Sequence, residues 1–81
     1  MKIVWDEPKR LANIDKHGLD FARLDVAFFL DAIIRLAKLN RLLAVGQFAD
    51  GTIAVVFALV GSEGISIISM RPANKLEKRL I

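Results

Sequence analysis

The chain has no cysteine, no tyrosine and a single histidine, His17, and each shortage removes a class of explanation. Without cysteine there is no disulfide scaffold, so stability must come from packing, within the chain or against a partner; the absence fits a reducing cytoplasm. One histidine without cysteines cannot build a histidine-rich metal site, and the aspartates match no metal-loop spacing, so no metal is expected. Without tyrosine, no mechanism can rest on a phenol. Long hydrophobic runs are also missing. The longest uninterrupted apolar stretch, residues 53–60, falls far short of the roughly 20 residues of a membrane-spanning helix, and Asp31, Arg35 and Lys38 break up the stretch before it. No signal-peptide pattern is seen at the N-terminus, which with the rest predicts a cytoplasmic protein without membrane contact. There is no glycine-rich phosphate loop, repeat or low-complexity tract, and hence no cofactor is expected.

What is present fits one domain, residues 1–81, with one modest core. Hydrophobic residues make up 54% of the chain, slightly above the globular norm, which favours a buried association surface. The formal charge of +3 is unevenly spread. Residues 71–81 carry four cations against one anion, whereas residues 19–70 carry four against five. A basic cluster of this kind can bind phosphate backbones or can be an ordinary solvated helix face.

Residues 3–5 form a short apolar strand candidate. Asp6 is then a suitable N-cap, and Pro8 lies where a first-turn proline costs nothing, so a helix is predicted over residues 7–17 and ended by Gly18. Asp20 can cap a second helix over residues 21–29, whose Phe21, Leu24 and Phe28 recur at helical spacing. From residue 32 onward β-branched and aliphatic segments predominate. Strands are expected at 33–37, 41–48, 52–60 and 65–70, with Asp50-Gly51 as a hairpin turn and residues 61–64 as the next. Pro72 ends the last strand, and residues 73–80 can form a short helix. This order predicts an α+β fold: two N-terminal helices, an antiparallel β-sheet with helices on one face, and a short C-terminal helix. In strand 41–48, however, neither the Arg41, Leu43, Val45, Gln47 face nor the Leu42, Ala44, Gly46, Phe48 face is cleanly polar. The second sheet face therefore needs a cover. A second copy, a partner's segment or the last helix packing back could each provide it.

Candidate chemistry begins on the first helix, where Lys9, Asn13 and Lys16 fall at i, i+4 and i+7 with His17 beside them, giving one basic, polar face. A solvated face gives the same pattern, and His17 could simply complement the helix C-terminus as a cation. Two arginines at strand ends extend the set. Arg41 and Arg71 could grip a scissile phosphate and stabilise its transition state, with the Arg71 guanidinium expected to reach solvent.

The N-terminal string Trp5-Asp6-Glu7-Pro8-Lys9-Arg10, then Asn13, then Lys16-His17-Gly18-Leu19-Asp20-Phe21, resembles the opening signature of the BrnT family of toxins. Arg41 to Gly46 resembles that family's arginine strand, Asp50-Gly51 its hairpin, and Ile67-Ile68-Ser69-Met70-Arg71-Pro72-Ala73 its isoleucine-serine-x-arginine-x-alanine ending. The match runs in order over nearly the whole chain. It implies a RelE-like fold and a ribonuclease that arrests translation when free. It also implies a BrnA-like ribbon-helix-helix antitoxin through which the complex binds operator DNA, with a homodimer within that complex one arrangement. Carried over by position, the catalytic candidates are Lys9, Lys16, His17, Arg41 and Arg71, with Glu77 a weaker candidate acid or base; Lys75, Lys78 and Arg79 would bind RNA. One departure stands out. Lys38-Leu39-Asn40 is shorter than the corresponding loop of many relatives and lacks their acidic residue. The leading reading is a metal-independent endoribonuclease; the alternatives are a catalytically inactive co-repressor that binds the antitoxin, and a free-standing nucleic-acid-binding module.

Overall fold

The computed structural model describes residues 1–49 and 51–81. Strand β1 (Lys2–Trp5) leads into helix α1 (Glu7–His17), a 3-10 turn (Phe21–Arg23) and helix α2 (Val26–Asp31). Four strands follow, β2 (Ile33–Leu36), β3 (Leu42–Phe48), β4 (Gly51–Val60) and β5 (Gly64–Pro72), and then the short helix α3 (Lys75–Lys78). Asp50, half of the expected hairpin turn, lies outside the described residues. Among the described residues no helix is long and apolar enough to cross a membrane.

Local chemistry accounts for most boundaries. The Asp6 side chain accepts from the Lys9 N–H at the start of α1, and Gly18, with φ 70°, ends it by donating its N–H to the Ile14 carbonyl. The single helix expected over residues 21–29 is divided in two. Asp20 caps the 3-10 turn through Ala22 N–H, Leu24 is extended, and Asp25 caps α2 afresh through Phe28 N–H. Two capping aspartates five positions apart thus restart the chain where a single run of apolar spacing suggested continuity.

The sheet has the order β1-β5-β4-β3-β2. Strands β2 to β5 pair antiparallel, as expected, but β1 pairs parallel with β5, so the sheet is mixed. No hairpin constrains β1, which lies far from β5 in sequence, and in this register Ile3 and Trp5 stand opposite Ile65 and Ile67 on the core face. That face packs against the 3-10 turn and α2 through Phe21, Leu24, Phe28, Phe29, Val55 and Phe57, all buried. Phe29 meets both Phe28 and Phe57 edge-on at 5.2 Å. Gly46 lies where a Cβ would come within 3.0 Å of the Phe28 ring, which explains glycine in mid-strand. On the opposite face Ala73 packs on Val45 and Ala54, with Leu43 beside them. The C-terminal segment thus supplies part of the cover expected there, while Val56, Ala58 and Leu43 remain half-buried.

Candidate active site

Helix α1 is fixed from both ends. The Trp5 indole donates to Glu7 Oε1, Arg10 bonds Glu7 at 2.6 Å, and the same guanidinium reaches Asp20 at 3.1 Å, tying the helix to the following turn. Hydrogen bonds from Arg10 and then Trp5 hold the Glu7 carboxyl below its usual range; Ala22 N–H and then Arg10 do so for Asp20. The middle of α1 is held by Asn13, 8% exposed, whose Nδ2 donates to the Leu19 and Met70 carbonyls and whose Oδ1 accepts from Met70 N–H. The sequence placed Asn13 on an exposed polar face. It is buried because α1 packs on β5, whose edge is free beyond Ile67, where β1 ends.

Strand β5 carries the second determinant. Val56 pairs with Ser69 but Phe57 with Ile67, so Ile68 is an extra residue in a β-bulge. Before the bulge Ile65 and Ile67 face the core; after it Met70 does. Ser69 and Arg71 are thereby set on the opposite face, across from Val56 and Ala54. The bulge also lets the consecutive residues Ile68 and Ser69 line one groove together with Lys9, Ala12, Asn13, Lys16 and His17.

Arg71 is restrained rather than free. Nη1 and Nη2 donate to Glu77 Oε1 and Oε2 at 2.7 and 2.8 Å, and Glu77 also closes a capping box with Asn74. The paired guanidinium holds the Glu77 carboxyl below its usual range, against the effect of burial and with help from Asn74 N–H; the carboxylate in turn raises Arg71. Glu77 is therefore an ionised anchor for α3 and poorly suited to the acid role suggested for it.

The structure thus brings Lys9, Lys16 and His17 together around one groove and sets Arg71 on the sheet face two residues beyond Ser69. Arg41 stands apart. It precedes the Leu42–Phe57 pair, whereas Arg71 is opposite Ala54, which puts the two about 13 Å apart along the strand direction. Arg41 lines a different hollow with Leu36, Ala37, Asn40, Leu42, Ala58 and Leu59. Lys75, Lys78 and Arg79 are exposed on or just after α3. Among the described residues neither Lys9 nor Lys16 enters a salt bridge. Ser69 was not foreseen, although the adjacent apolar pair Ile67-Ile68 breaks strict alternation and could have signalled the bulge.

A family model described as "Ribonuclease toxin, BrnT, of type II toxin-antitoxin system" matches residues 5–77. The chain belongs to the BrnT family. It is also similar to a solved structure, the Brucella abortus ribonuclease toxin BrnT, at 56% identity and a TM-score of 0.87, covering 93% of this chain and 99% of that one. No curated protein matches the chain. The order of helices, sheet and short C-terminal helix accords with a RelE-like fold, and the family assigns the chain a ribonuclease-toxin role. Within the BrnT signature, Trp5, Asp6, Glu7, Arg10, Asn13, Gly18 and Asp20 all hold α1 in place. The side chains of Lys9, Lys16 and His17 make none of those contacts, Lys9 joining only through its backbone N–H, and these residues border the groove.

Proposed function

We propose that this BrnT protein is an endoribonuclease that inhibits translation in the cytoplasm, acts as a single toxin domain and is neutralised by a BrnA-like antitoxin. The observation that carries the reading is the groove between α1 and β5, where Lys9, Lys16 and His17 gather beside Ser69 while Trp5, Asp6, Glu7, Arg10, Asn13, Gly18 and Asp20 hold α1 in place. The printed description of the Brucella relative as a ribonuclease toxin points the same way.

In this reading the substrate provides its own nucleophile. The ribose 2′-hydroxyl attacks the adjacent phosphorus, the P–O5′ bond breaks, and a 2′,3′-cyclic phosphate and a 5′-hydroxyl result. The protein orients the phosphodiester for in-line displacement, neutralises developing charge with lysines and Arg71, and moves two protons with His17 and a lysine. Lys75, Lys78 and Arg79 extend the basic surface for the flanking RNA. Arg41 contributes charge at the far end of the sheet. The partner is a ribbon-helix-helix antitoxin that takes the complex to operator DNA. Exposed Leu36, Leu39, Leu59 and Val60 supply apolar surface for an association of that kind.

A second reading, a catalytically inactive member that only binds the antitoxin, is favoured by the engagement of Arg71 with Glu77 and the separation of Arg41. Induced expression separates the two. Growth arrest that the neighbouring gene product relieves, and that Lys9→Ala/Lys16→Ala abolishes, supports the enzyme; tight binding of that product without arrest supports the inactive member.

A further inference from the structure

We propose that the Ser69 hydroxyl donates a hydrogen bond to a non-bridging oxygen of the scissile phosphodiester, an inference that rests on the ribonuclease reading above. The bulge at Ile68 sets Ser69 on the face opposite the core, across from Val56, and beside the cations of α1. Ser69 is half-buried, faces away from the core and lines the groove. The hydrogen bonds that brace this corner pass on either side of it: Asn13 binds the backbone of Met70, and Arg71 binds Glu77. Neither brace uses the serine.

A phosphate drawn in by Lys9 and Lys16 needs a donor that sets its orientation as well as its charge, because lysine ammoniums on flexible stems act as point charges. A hydroxyl on a strand has one short side chain and a fixed backbone, so it can orient the anion at little entropic cost. Arg71 lies two residues on along the same face, about 7 Å away, but its guanidinium is held by Glu77, which leaves the serine as the orienting donor within the groove.

The test is single-turnover cleavage of one RNA by the wild type, Ser69→Ala, Ser69→Thr and Ser66→Ala. Ser66 is on the same face of β5 but opposite Ala58, outside the groove. Loss of a hydrogen bond to a charged group predicts a rate constant about 10- to 100-fold lower at saturating RNA for Ser69→Ala, with an unchanged melting temperature. Ser69→Thr, which keeps the hydroxyl, should recover most of the rate, and Ser66→Ala should match the wild type. An alanine variant as fast as the wild type overturns the proposal, as does a threonine variant as slow as the alanine one. Failure of the wild type to cut any RNA defeats the ribonuclease reading itself and is recognised separately.

Discussion

Asn13 on α1 binds both backbone groups of Met70 on β5, accepting from its N–H at 3.1 Å and donating to its carbonyl at 2.8 Å. One side chain thereby does what a neighbouring strand would do at a sheet edge that β1 leaves free, and it fixes the width of the groove. Asn13→Ala should lower stability by about 2–4 kcal/mol, since it strips partners from buried groups of Met70 and Leu19. Asn13→Asp should be at least as harmful at neutral pH, because a carboxylate then faces two carbonyls, and should recover in part on acidification. Urea melts of both variants check this; an alanine variant as stable as the wild type would contradict the role.

Arg71 and Glu77 are a partly buried bidentate pair, so the guanidinium expected to reach solvent is 35% exposed but held by a carboxylate. Arg71→Ala leaves a carboxylate that is 11% exposed without its cation and should cost about 1–3 kcal/mol. The double variant Arg71→Ala/Glu77→Ala should be more stable than the single one. If thermal melts place the double variant below Arg71→Ala, the pair is not the reason for the loss. Growth assays on Arg71→Ala therefore need the double variant as their stability control.

Acid dependence follows from the same pair. The folded-state pKa of Glu77 is depressed, so its contribution is fully present above the unfolded value of about 4.3 and is lost as pH falls through the lower folded value. Glu7 and Asp20, also depressed, act in the same direction. Stability should decline below about pH 5, and Glu77→Gln should flatten that decline. Chemical denaturation from pH 7 to pH 3 gives the answer, with parallel curves for wild type and variant as the contrary result.

Leu39, 80% exposed, has φ 61° at the tip of the β2–β3 turn, and Asn40 follows with φ 61°. Left-handed backbone suits asparagine better than leucine, so Leu39→Asn should raise stability by about 1 kcal/mol. If the exposed leucine contacts the antitoxin, the same variant should bind it more weakly. A melting temperature at or below that of the wild type would contradict the strain argument.

Much of the fold was legible because local chemistry set it. Asp6, Gly18 and the aliphatic, β-branched runs of β3 and β4 determine elements from neighbours in sequence alone. The parallel pairing of β1, the burial of Asn13 and the Arg71–Glu77 pair depend on which elements meet, and no local pattern encodes that. The site divided in the same way. Lys9, Lys16 and His17 share one stretch of helix and could be grouped from spacing, whereas Ser69 needed the bulge and Arg41 needed the strand register to be placed.

The chemistry at the groove decides whether this protein is a metal-independent ribonuclease, and the nature of the RNA ends tests it. Purified wild-type protein, incubated with RNA in EDTA, should cut it to leave a 2′,3′-cyclic phosphate and a 5′-hydroxyl. Lys9→Ala/Lys16→Ala, folded and still bound by the antitoxin, should leave the RNA intact. Strict dependence on added magnesium, products bearing a 5′-phosphate, or undiminished cleavage by the double lysine variant would contradict it.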